Sequence, residues 1–202
     1  MGLSTGRVLA AVRSPGLWLL AAGVEFLLLL HVAEFQDSTY SVSEDYVSEL
    51  GVGPIRPRIT FTVAVILFGV MTAYAATLMR RGPVKSRLWI LLALTGVGAV
   101  GVGVFDMDNF SAAHALFALM AFVFGNVASI YSSKVVRPPL SYIFVIFGLV
   151  GLTALALFIA GAHFGIGEGG MERMILYPAM FWVMCYGGYL LADESRPSAE
   201  QA

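Results

Sequence analysis

The sequence predicts an all-α, polytopic membrane protein, a bundle of six transmembrane helices with both termini cytoplasmic. Three observations predict it. The first is composition: 58% of the 202 residues are hydrophobic and 12% charged, where a soluble domain averages about half apolar and a quarter charged. The second is that the apolar residues fall in six runs, each near the roughly 20 residues that a helix needs to cross a bilayer core about 30 Å thick. The third is that Lys and Arg collect in alternate loops, as the positive-inside rule requires of spans that reverse direction at each turn. Mean hydropathy is +0.82.

The first run covers 15–35. Arg7 and Arg13 precede it like a signal peptide, but it is too long, carries Glu25 and lacks a small-residue cleavage pattern. MGLSTG places Gly6 where a myristoylation pattern needs Ser or Thr. The loop that follows contains STYSVSEDYVSELGVGPIRP, in which Ser41 and Glu44 form a capping-box pattern and Gly51 offers a left-handed stop. A short helix over 42–50 is expected, with Tyr46, Val47 and Leu50 on its apolar face, lying on the bilayer surface or capping the bundle.

The second run covers 59–79 and the third 87–105. Gly96, Gly98 and Gly101 formally match a dinucleotide-binding fingerprint, but no strand precedes them, so the match is accidental. Thr95, Ala99 and Gly103 recur every fourth residue, a small-residue stripe suited to close helix contact. The fourth run, 111–131, follows the turn FDMDNF, where Asp108, Asn109 or Ser111 can cap it. The fifth covers 141–163, with Gly148, Gly151 and Ala154 on a close-packing face, and the sixth covers 172–192, interrupted by Pro178. Residues 1–192 are expected to form one domain, and 193–202 a polar, disordered cytoplasmic tail.

Alternation of six spans puts Arg7, Arg13, Arg80, Arg81, Lys85, Arg87, Lys134, Arg137 and Arg196 on one side and only Arg56, Arg58 and Arg173 on the other. The first side is therefore expected to be cytoplasmic. Segments 36–58, 106–110 and 164–171 then face outward. A net charge of -1 offers no basic stripe for nucleic acid. The single cysteine, Cys185, excludes an intrachain disulfide and a cysteine-built metal site.

Depth follows from a rise of about 1.5 Å per residue. His31, His114 and His163 all fall at the outer interface, level with Glu34, Asp106, Asp108, Glu168, Glu172 and Arg173. Their chemistry admits a divalent metal such as zinc on the three histidines, which would activate water against an ester, amide or phosphate. It equally admits plain interfacial polarity. A bis-histidine haem has less support, since no helix carries paired ligands. Arg173 is read as a salt-bridge partner, with an anion clamp as the sharper alternative. Glu25 lies near the midplane, where a charge is costly. It must be neutral, paired or facing a cavity, and Asn126 or a threonine of the second span could bond it.

The loop motif VSELGVGP, the glycine-rich third span running into FDMDNFSAAH, and GGMERMILYPAMFWVMCYGGYL in the last span resemble the archaeal and bacterial membrane-protein family known as domain of unknown function 998. The resemblance implies a membrane location and outward polar loops, and it carries no reaction. A likeness to seven-helix membrane hydrolases extends only to acids and histidines at one interface.

The sequence thus predicts an outward polar pocket of His31, Glu34, Asp106, Asp108, His114, His163, Glu172 and Arg173. Binding of lipid or partner membrane chains demands least of it. A metal-assisted lipid hydrolase or transferase, and a small proton-coupled carrier using Glu25, are the alternatives.

Overall fold

Six α-helices run up and down in a computed structural model that describes residues 12–82 and 86–194. They are α1 (Pro15–Phe35), α2 (Ile55–Arg81), α3 (Leu88–Val104), α4 (Ser111–Ser132), α5 (Leu140–Ile159) and α6 (Gly167–Glu194). All but α3, which has 17 residues, are long and apolar enough to cross a membrane. The chain is therefore a helical membrane protein, an α-helix being able to sit in hydrocarbon because its backbone hydrogen bonds are satisfied within the segment. Arg7, Lys85, Arg196, the MGLSTG start and most of the expected tail lie outside the described residues.

Each helix begins and ends for local reasons. Ser14 caps α1 by accepting the Leu17 N–H at 3.4 Å, with Pro15 in the first turn, where a missing N–H costs nothing. Helix α2 starts at Ile55, four residues before the expected 59, because Arg56 and Arg58 extend it beyond its apolar stretch. Helix α5 ends at Ile159, short of the expected 163, where Gly161 turns the chain at φ +70°. Helix α6 starts five residues earlier than expected, at Gly167.

The helices close into a ring in chain order: each packs on the next, α6 returns to α1, and α4 also touches α6 across the ring. Helix α5 therefore sits outside α4 and α6, leaving α1, α2, α3, α4 and α6 around the centre. Glycines set the spacing. A Cβ on Gly69 would lie 2.6 Å from the Gly96 carbonyl oxygen, and one on Gly96 equally close to that of Gly69. Gly98 abuts the α4 backbone at Ala121, Gly16 meets Gly187 between α1 and α6, and Gly148 and Gly151 admit Asn126. Backbones approach this closely only where no side chain intervenes. The expected stripe is corrected in part: Gly103 packs against Ile66, but Thr95 and Ala99 line a cavity inside the ring.

Asn126 joins three helices. Its amide donates to Phe122 O at 2.9 Å within α4 and to Ile175 O at 3.3 Å in α6, one turn before Pro178. Nearer the basic end, Trp182 Nε1 donates to Ser132 Oγ at 2.9 Å, and Ser129 Oγ to Phe144 O at 2.7 Å. These bonds tie α6 and α5 to α4 without leaving their donors unpaired in hydrocarbon.

The expected helix over 42–50 is a 3-10 turn, Val47–Gly51, preceded by turns. Ser41 does accept the Glu44 N–H, at 3.4 Å, but its own N–H bonds the Asp45 carboxylate at 2.7 Å rather than Glu44. The local bonds therefore stabilise a turn. Gly51 is absent from the positive-φ glycines; a Cβ there would meet the Phe61 ring at 3.1 Å. Val47 and Leu50 are buried, so this segment caps the bundle instead of lying on the bilayer.

Candidate functional site

The acidic end of the bundle is organised by two adjacent residues of α6. Arg173 is 5% exposed, and both its Nη atoms meet acceptors. Its Nη2 donates to Glu34 Oε1 at 2.6 Å and to the Tyr40 hydroxyl at 2.7 Å, and its Nη1 donates to Val42 O at 2.7 Å and Gly169 O at 3.0 Å. Both Nη atoms are thus engaged while Nε is buried without a partner, and the Glu34 contact is a structural salt bridge rather than the anion clamp of the alternative reading. Burial pushes the Tyr40 hydroxyl up to about 12, with Arg173 opposing the shift.

Glu172 faces differently. Its Oε2 accepts the Val47 N–H at 2.6 Å, and the residue lines the central cavity. Two glycines let the loop approach: a Cβ on Gly167 or Gly169 would collide with the carbonyls of Ser43 and Asp45, and Gly167 needs φ +76° besides. The Gly170 N–H then donates to Ser43 O at 2.9 Å. Residues 40–50 are thus held by α6 as a cover over the ring. The Glu168 carboxylate of α6, beside Tyr46 of this cover, and then burial hold the Tyr46 hydroxyl up at about 12.

Beneath the cover lies a cavity of about 70 Å³. Val47, Ser48, Glu172 and His114 close its acidic end, and Thr72, Leu92, Thr95 and Gly125 lie toward the other. Lining residues span Phe61 to Thr72 on α2 and Glu172 to Val183 on α6, roughly 16 Å of helix on each. The walls between are apolar and aromatic, among them Phe26, Phe68, Phe122, Leu176 and Met180. The space is therefore long, narrow and dry-walled, with hydrogen-bonding groups at its ends.

His114 is buried at the acidic end, and its Nδ1 bonds Phe105 O at 2.8 Å. A carbonyl only accepts, so Nδ1 carries the proton of this bond. Glu172 and His114 are the two predicted site residues that share the cavity.

The others are distributed. His31 is exposed and bonds Leu27 O of its own helix, while His163 sits against Phe158 beyond α5. The three histidines do not converge: among the described residues no group of three His, Cys, Asp or Glu side chains could hold a metal ion. Facing separate directions from α1, α4 and a loop, they share a level but not a point.

Asp106 and Asp108 border a shallow groove with Arg58. Asp106 accepts the Asn109 N–H at 2.8 Å and its side-chain amide at 2.9 Å, bonds that hold its carboxyl below the usual range. The cap of α4 is Phe110, without a side-chain bond, so the expected capping by Asp108, Asn109 or Ser111 is replaced by this Asp106 turn.

Glu25 does not line the cavity, and both its carboxylate oxygens are buried without a hydrogen-bond partner. The expected bond to Asn126 or an α2 threonine is not made. Sequence reading missed Tyr40, Ser48 and Thr72. Only the polarity of Thr72 inside an apolar run marked it.

The model of a family described as a protein of unknown function (DUF998) matches residues 20–189, from within α1 to within α6. The chain belongs to this family. No curated protein and no solved structure matches. Membership bears out the resemblance carried by VSELGVGP, FDMDNFSAAH and the α6 motif, and it assigns no reaction to the cavity.

Proposed function

We propose that this chain is a six-span protein of the cell membrane, with both termini cytoplasmic, that binds the apolar chain of a lipid or other single-chain amphiphile inside its bundle without turning it over. One observation carries the reading: an elongated cavity with apolar walls has a buried carboxylate and a buried imidazole together at one end. Ligand sites combine these features, apolar lining for affinity and a few convergent polar groups for orientation. About 70 Å³ is less than half of the roughly 150 Å³ that accepts benzene in an engineered cavity. A chain long enough to reach between the polar ends is itself larger than benzene, so it enters only by parting the helices around this void, with its polar end beside Glu172 and His114.

The test fills the cavity. Ala99 lines it and is 3% exposed, so Ala99→Leu adds three carbons to the space at an overpacking cost of about 1–3 kcal/mol. Native mass spectrometry of detergent-purified protein titrated with decanol should show stoichiometric uptake by the wild type. The folded variant should show about tenfold weaker uptake, about 1.4 kcal/mol. Equal uptake by both, or none by either, overturns the proposal.

A further inference from the structure

Thr72 is 0% exposed, its Oγ1 has no hydrogen-bond partner, and it lines the end of the cavity away from Glu172. Thr95, its neighbour in the wall, is satisfied within its own helix by donating to Leu91 O at 2.9 Å. That intrahelical bond is open to any helix threonine, and Thr72 does not make it. A buried hydroxyl left unpaired in hydrocarbon loses its hydration without compensation, unless something in the cavity supplies the partner.

The levels can be counted. Thr95 Cγ2 stands 3.5 Å, and Ala179 Cβ 3.9 Å, from where a Cβ on Gly125 would be, so Thr95 is level with Ala179. Ala179 is seven residues from Glu172 along α6, roughly 10 Å of rise. The contact between Gly69 and Gly96 sets Thr72 at about the same depth or slightly beyond.

We infer that Thr72 is a second polar contact of the same site, and that the ligand is a bifunctional single-chain amphiphile carrying a hydroxyl or carbonyl oxygen roughly 10 Å from the group beside Glu172. The inference rests on the proposed binding of an apolar chain and narrows its chemistry. A threonine hydroxyl both donates and accepts, so it serves an alcohol or a carbonyl equally. Between the two polar points the wall offers only apolar surface, which matches a methylene chain.

Heptane, heptanol and 1,7-heptanediol, of one chain length and carrying no, one and two terminal hydroxyls, separate the claims. Native mass spectrometry should show the wild type preferring the diol over heptanol by roughly fivefold, the worth of one net hydrogen bond. Thr72→Val, close in shape, should erase that preference while retaining heptanol, and Thr72→Ser should restore it. Without ligand, Thr72→Val should unfold at a higher temperature than the wild type, because it removes an unpaired buried hydroxyl. A Thr72 that merely packs would move none of these ratios. Heptanol binding with no diol preference, or a preference that survives Thr72→Val, overturns this inference and leaves the chain-binding proposal standing. Failure of all three probes to bind overturns both.

Discussion

Arg173 shows how one side chain decides the state of a whole loop. The guanidinium joins Glu34 of α1, Tyr40 and Val42 of the cover, and Gly169 of α6. Removing one partner of such a buried pair leaves an uncompensated charge, which costs about 3–5 kcal/mol. Arg173→Met should therefore lower unfolding stability by about that much, and Glu34→Gln together with Arg173→Met should recover part of it. Additive losses in the double-mutant cycle would show that the pair is not coupled. The alkaline limb reads the same site. The Tyr40 hydroxyl titrates at about 12 in the folded chain against an unperturbed value of 10.0, so the folded state holds its proton more tightly. Its stabilisation is complete below pH 10.0 and is lost as pH rises through about 12. Tyr40→Phe should flatten that part of the stability profile, and an unchanged alkaline limb would dissociate Tyr40 from the Arg173 contacts.

At the scale of elements, helix spacing is set by glycines that touch backbone, and the prediction contrasts two of them. Gly96 faces the Gly69 carbonyl, whereas a Cβ on Gly188 would meet nothing within 4 Å. Gly96→Ala should separate α2 from α3 and destabilise by about 1–3 kcal/mol. Gly188→Ala should be neutral or stabilise by up to about 1 kcal/mol, as alanine is the better helix former. Equal effects would refute the close-contact account. Sequence made much of this level legible, because hydrophobic run length is a one-dimensional property: all six helices were expected, and their ends missed by a few residues. The misses have physical causes. Arg56 and Arg58 resemble loop charges, yet a helix can outrun its apolar stretch. GEGG resembles a loop, yet its glycines open α6 so that residues 42–45 can reach it. The site was legible residue by residue, in Glu34, His114, Glu172 and Arg173. Its division into the Arg173 contacts and the cavity was not, since Val47 lies 125 positions from Glu172 and Glu34 lies 139 from Arg173. Depth can be counted along a helix, but the direction in which a side chain faces depends on its neighbours.

For the whole molecule the decisive question is how many times the chain crosses the membrane, and α3 decides it. Its 17 residues rise roughly 26 Å, a little less than a bilayer core of about 30 Å. A helix this short spans by local thinning of the bilayer at a modest cost. Leaving α3 on the surface would instead expose an almost wholly apolar helix. It would also break the ring, since α3 packs on both α2 and α4. A spanning α3 places Arg80, Arg81, Arg87, Lys134 and Arg137 at one end and Glu34, Asp45, Asp106 and Asp108 at the other, the distribution that directs cations to the cytoplasm. Cys185 is the single cysteine of the chain, so a Cys185→Ser background allows the two ends to be labelled separately. Ser111→Cys, at the exposed start of α4, should react with a membrane-impermeant maleimide on intact cells. Ser133→Cys, just past the far end of α4, should react only after permeabilisation. Reversed labelling would invert the orientation and place the Glu172 end of the cavity in the cytoplasmic leaflet. Labelling of Ser111→Cys and Ser133→Cys from the same side would mean that α4 does not cross, which would dismantle the closed ring.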